Sequence, residues 1–121
     1  LLRGIRGAIT VEKNEKTIVN EAVQELLQKI ILANDINTED IGAAIFSATT
    51  DIDVTFPAAA ARKLAGWDMV PLFDAQQMAV DNSIEKCIRV LLLVDTDKKQ
   101  NEIQHIYLRR AQNLRPDISK I

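Results

Sequence analysis

Disulfide chemistry is the first thing this sequence leaves out. Its one cysteine, Cys87, has no partner in the chain, so no internal framework of bridges exists. That favours a reducing compartment. With one histidine, His105, there is no second imidazole to build a metal site, and neither residue sits in a triad-like context. Long apolar runs are missing too; nothing approaches the ~18 residues that a membrane-spanning helix needs. The opening Leu1-Leu2-Arg3-Gly4-Ile5-Arg6-Gly7 lacks an apolar run followed by a small-residue cleavage site. We therefore expect a cytoplasmic protein that does not contact membranes. Glycine is scarce, and Gly4, Gly7, Gly42 and Gly66 never cluster into a phosphate-binding loop. A basic excess is absent as well: 15 Lys and Arg face 17 Asp and Glu, for a net charge of −2. That speaks against a nucleic-acid partner. It does not exclude a small anionic substrate, because a few arginines suffice locally.

What is present suits one domain over residues 1–121, with 47% hydrophobic residues to build its core. No repeat or low-complexity segment interrupts it. Residues 2–11 alternate as a strand, with Ile5, Ile9 and Val11 on one face. The other face sets Arg6 among small residues. Val19, Ala22, Val23, Leu26, Leu27, Ile30 and Ile31 form one stripe on a helix over 15–33, with Asn14 as its expected N-cap. Asn34-Asp35 marks its exit. A buried strand follows at 41–48 and a polar loop at 49–53. Phe56-Pro57 opens a second helix that should run to Gly66. Further strands are expected at 69–75 and 86–95, a loop at 80–85, a short helix at 100–104 and a last strand at 105–114. Regular structure should end at Arg115-Pro116-Asp117.

That order predicts an α/β (α+β) fold: a mixed sheet with helices on one face. Several connections are too short for crossovers, so some strands must be antiparallel. Trp67 and Cys87 suit packing positions, and His105 a packed or half-exposed strand position. The uncovered sheet face would carry Arg and Tyr among apolar residues, which suggests contact between subunits with sites at the seam. Arg89 shares a strand face with Cys87, Leu91 and Leu93. A cation on so apolar a face calls for an anionic partner.

The sequence also resembles a known family. Arg3-Gly4-Ile5-Arg6-Gly7-Ala8, Phe56-Pro57-Ala58, Gly66-Trp67, Val70-Pro71, Cys87-Ile88-Arg89-Val90, His105-Ile106-Tyr107-Leu108 and Leu114-Arg115-Pro116-Asp117 are similar, in order, to the AroH-class chorismate mutases. Each fragment alone is weak; their order over nearly the whole chain is specific. The resemblance implies a pseudo-α/β-barrel homotrimer with active sites at subunit interfaces and no cofactor or metal. It implies the rearrangement of chorismate to prephenate in aromatic amino-acid biosynthesis.

Such a reaction moves no proton and forms no covalent intermediate. The protein has to hold the compact conformer of a flexible dicarboxylate and stabilise charge on the breaking ether oxygen. The resemblance makes Arg89 the cation at that oxygen. It gives Arg6 and Tyr107 to the substrate carboxylates, and Arg62 and Arg115 to the pocket mouth. Phe56, Ala58, Phe73 and Leu114 would form an apolar wall, and Ala75 and Gln76 would join the substrate-binding set. Gln77 stands where the family has a glutamate that accepts a hydrogen bond from the ring hydroxyl and stabilises the positive ring. Asp74, three residues earlier, is a candidate to restore that charge, although positions 74 and 77 face opposite sides of a continuous strand. Ala59 replaces a lysine of some members, and Val80-Asp81-Asn82-Ser83 lacks their glycine or proline. Two other readings stay open: a small trimeric enamine/imine deaminase-like enzyme, or a mutase-like binding protein impaired at Gln77.

Overall fold

A computed structural model describes residues 1–117 of the chain. Five strands, β1 (Leu2–Thr10), β2 (Ile41–Ala48), β3 (Leu72–Gln76), β4 (Cys87–Asp95) and β5 (Ile106–Leu108), form one sheet in the order β3-β2-β4-β1-β5. The central β4 runs antiparallel to β1 and β2, while the outer pairs β1–β5 and β2–β3 are parallel. Helices α1 (Lys16–Asn34) and α2 (Pro57–Arg62) supply the crossovers and lie on one face, as expected.

The core forms where the period-2 strands meet the α1 stripe. Ile5 and Ile9 of β1, Phe46 of β2 and Ile88, Leu92 and Val94 of β4 are fully buried against Val19, Val23, Leu26, Leu27 and Ile30. Each such aliphatic side chain contributes about 1.5–3 kcal/mol by leaving water. Gly7 is needed here because an added Cβ would lie 2.7 Å from Ile30 Cδ1. Helix α1 thus sits close on β1 next to Arg6.

Several expected boundaries shift, each for a local reason. Asn14 does not cap α1; Glu15 holds that position, and Asn14 instead bonds Asp53 of the loop after β2. Strand β3 starts at Leu72 rather than 69, because the chain turns between Trp67 and Val70 and Pro71 has no N–H to give a ladder. Helix α2 stops at Arg62, and the chain then turns to Gly66, whose φ is +87°. The short helix expected at 100–104 is one 3-10 turn, Gln100–Glu102. The last strand covers only Ile106–Leu108. Arg109 takes φ +57° and the chain coils as a 3-10 helix from Arg109 to Leu114. Thr10 fixes that turn: its carbonyl accepts from Arg109 and its hydroxyl oxygen accepts from the Arg110 N–H. The turn returns Leu114 and Arg115 to the open face of the sheet.

Candidate active site

The strand registers assemble the open face as rows of side chains. One row across β3, β2, β4 and β1 is Phe73, Ile45, Leu91 and Arg6. The next, from β3 to β5, is Ala75, Ser47, Arg89, Ala8 and Tyr107. Directly opposed residues on paired strands point to the same side. Arg89 therefore stands between two residues with small side chains, Ser47 and Ala8, which leave room beside it.

That space is a cavity of about 370 Å³ walled by Arg6, Arg89, Tyr107, Leu114 and Arg115, with Ile45, Ser47 and Leu91 beneath. Its size suits a small organic anion. Arg89 Nε is buried there without a hydrogen-bond partner. Buried donors are nearly always paired, so this one marks where an acceptor belongs. Burial pushes the neighbouring Cys87 thiol pKa up, against the charge and hydrogen-bonding pull of the Arg89 side chain, and so keeps it protonated; a neutral thiol is a weak acceptor and does not satisfy Nε. At the mouth, Arg115 holds the Asp117 carboxylate through Nε and Nη2 at 3.0 and 2.8 Å. Its fork is thus already shaped for a carboxylate.

A second cleft, about 740 Å³, opens where β2 and β3 meet the start of α2. Phe56, Asp74, Ala75 and Gln76 line it, with Ala59 and Lys16. Asp74 Oδ1 accepts from the Ala58 N–H at 3.0 Å, so its carboxylate lies toward the helices, not on the Arg89 face. It supplies the cap that α2 lacks from its own N-cap residue. Burial pushes the Asp74 pKa up, opposed by that hydrogen bond and by Arg62. Ala58 itself is buried beneath the cleft, whereas Phe56 and Phe73 are 70% and 65% exposed.

Gln77 occupies a third position. Its N–H extends the ladder to the Ala48 carbonyl, and it lines a hollow with the loop 78–85. Its Oε1 is buried with no donor. In that loop Asn82 takes φ +64°, the left-handed conformation that a glycine would otherwise supply.

The structure thus gathers Arg6, Arg89, Tyr107, Leu114 and Arg115 around one cavity; Phe56, Asp74 and Gln76 line the second cleft and Gln77 the third, while Ala75 borders the second cleft from the Arg89 row, two strands from Arg89. Arg62 stands beside Asp74. Gly7, Ile45, Ser47 and Leu91 also line the cationic cavity and were not anticipated. Alternation placed Ile45, Ser47 and Leu91 on a face, but only the strand register brings them near Arg89, and Gly7 contributes its backbone alone. Among the described residues no group of three His, Cys, Asp or Glu side chains is placed to hold a metal ion, and no helix is long and apolar enough to cross a membrane.

Residues 2–118 match the family model described as chorismate mutase type I. The chain is 44% identical over 119 residues to the chorismate mutase AroH of Bacillus subtilis (strain 168), covering 98% of this chain and 94% of that one. It is 45% identical over 119 residues to the chorismate mutase AroH of Thermus thermophilus, covering 98% and 97%. The solved structure of a chorismate mutase from Clostridium thermocellum superposes with a TM-score of 0.89 at 40% identity, over 92% of this chain and 98% of that one. With a family model spanning nearly all of its length, the chain belongs to the chorismate mutase type I family.

Proposed function

We infer that this chain, as one domain over residues 1–121, rearranges chorismate to prephenate for aromatic amino-acid synthesis in the cytoplasm, without metal or cofactor. The observation that carries this reading is the unpartnered Arg89 Nε, buried in a cavity that Arg6, Tyr107 and Arg115 also face. Arg6 and Tyr107 hold the substrate carboxylates, and Arg115 guards the mouth. With both carboxylates held, the side chain folds over the ring in the reactive conformer. Arg89 then meets the ether oxygen as its bond breaks. Negative charge grows on that oxygen only as the transition state forms, so the contact lowers the barrier rather than merely tightening binding.

The complete site requires more than one copy of the chain. Asp74 lies on the helix side of its own sheet, and an apolar row containing Phe73, Ile45 and Leu91 stands partly uncovered. We propose a homotrimer in which this face meets a neighbour, so that Phe56, Phe73 and the Asp74–Gln77 segment of one subunit approach the arginines of the next. Gln77 Oε1, which has no donor, accepts from the substrate ring hydroxyl. Asp74 returns the negative charge that a neutral amide lacks.

Loss of chorismate absorbance with purified protein tests the activity, and sedimentation equilibrium tests the assembly. We expect turnover and a trimer mass. A folded protein without turnover would refute the catalytic reading, and an active monomer would refute the shared site.

A further inference from the structure

Arg6 stands at a point where its own sheet cannot hold it on one side. Pairing between β1 and β5 begins only at Gly7 with Ile106, so β5 has no rung for the Arg6 N–H. The side chain of His105, the residue just before β5, fills the gap: its Nδ1 accepts from the Arg6 N–H at 2.9 Å. The segment carrying His105 is itself clamped. Asn34, 1% exposed at the end of α1, donates to the Gln104 carbonyl at 2.9 Å and accepts from the Gln104 N–H at 2.8 Å. Two hydrogen bonds from Asn34 of α1 thus hold Gln104, whose covalent neighbour His105 holds the backbone of Arg6.

We propose that His105 is a positioning residue for substrate binding: its neutral imidazole replaces a strand carbonyl and fixes the β1 backbone at Arg6. The inference rests on the reading that Arg6 holds a substrate carboxylate. An acceptor at Nδ1 places the ring proton on Nε2. Burial, then the nearby Arg6 and Arg115 cations, push the His105 pKa below its ordinary value, so the accepting form persists. The charged groups facing the ring are Arg6 on β1 and Arg115 and Asp117 beyond the last turn; Gln100, Asn101 and Gln104 are neutral. Protonation would set a donor against the Arg6 N–H and release this stretch of β1.

Steady-state chorismate kinetics on wild type, His105→Leu, His105→Asn and Arg6→Ala test the proposal. His105→Leu should lower kcat/KM by about tenfold, mostly through KM, the effect of one lost hydrogen bond that orients a binding group. His105→Asn, whose Oδ1 can accept near the same place, should recover kcat/KM to within about threefold of wild type. Wild-type kcat/KM should fall as the solution is acidified below the ordinary histidine range, and the His105→Asn profile should stay flat there. A wild-type KM in folded His105→Leu would overturn the proposal, as would an Asn variant as impaired as the Leu variant with both folded. If His105→Leu does not fold, the Asn variant and the two pH profiles decide. If Arg6→Ala leaves KM unchanged, the carboxylate role of Arg6 falls and this inference with it. If Arg6→Ala raises KM and His105→Leu does not, this inference alone falls.

Discussion

Replacing Arg89 by methionine should separate activity from stability in opposite directions. Arg89 stands between Ser47 and Ala8 in its row, and its Nε is buried and unpartnered. A buried donor left unmade costs about 1–3 kcal/mol of folding stability. A methionine keeps an unbranched stem in the same space and removes that donor. The urea midpoint of Arg89→Met should therefore equal or exceed that of wild type. Catalysis should move the other way. Losing one preorganised donor at a developing oxyanion typically costs roughly 3–4 kcal/mol, or about 100- to 1000-fold in kcat. Arg89→Lys keeps the charge but not the planar fork, so its kcat should lie between the two. Urea denaturation and chorismate turnover on the same preparations make the comparison. A kcat within about threefold of wild type would remove Arg89 from the transition state. A large loss of stability would make it a structural residue whose partner lies elsewhere.

Gln77→Glu should raise kcat by up to about tenfold if the neutral amide limits stabilisation of the positive ring. A cycle with Asp74→Asn should show coupling above about 0.5 kcal/mol, and strict additivity would refute compensation between the two positions. Acid should weaken the fold through His105. Its folded pKa lies below 6.5, so the unfolded chain binds more protons between the two values, and stability falls as pH drops through that window. Urea midpoints should show a slope there that His105→Asn reduces; an unchanged slope would rule out the imidazole as its source. Gly7→Ala should cost about 1–3 kcal/mol, because the new methyl would overlap Ile30 Cδ1 at 2.7 Å. A neutral Gly7→Ala would mean that the Ile30 methyl swings aside at little cost.

The faces of the sheet were legible because period-2 alternation is a local property. Ile5 and Ile9 point to the helices and Arg6 to the open side, as their order in the chain requires. Boundaries failed where a distant group decided them. Asn14 has the chemistry of an N-cap, but Asp53 competes for its amide across 39 residues. The run after Leu108 is broken by a left-handed Arg109 that Thr10, nearly 100 positions earlier, holds in place. Asn34 looked like a helix exit, which it is, but its burial and its grip on Gln104 come from packing that no local pattern encodes. Gly66 was expected to end α2, but the helix stops at Arg62 and Gly66 takes its left-handed φ in the turn that follows, while Asn82 adopts the same backbone region without being glycine.

The candidate site was legible to the extent that chemistry leaves an isolated charge on an apolar strand. Arg89 carried that signal alone. Ser47 and Ile45 carried none, because small and aliphatic residues in strands suit any core; Ala8 was legible only as a small neighbour of Arg6, and only the register sets Ser47 and Ala8 beside Arg89 and Ile45 beside Leu91. Asp74 shows the opposite case. Its charge suggested a role in the pocket, but its carboxylate is bound to the Ala58 N–H at the start of α2. That bond fixes the orientation of the helix carrying Arg62, which in turn opposes the burial that raises the Asp74 pKa. If Asp74 also serves the substrate, it does so as a group already held by a helix end. Asp74→Asn would keep an acceptor for Ala58 and remove the charge, whereas Asp74→Ala would remove both. A drop in kcat shared by the two variants would assign the lost function to charge. A drop confined to Asp74→Ala, with a lower unfolding midpoint, would assign it to the position of α2.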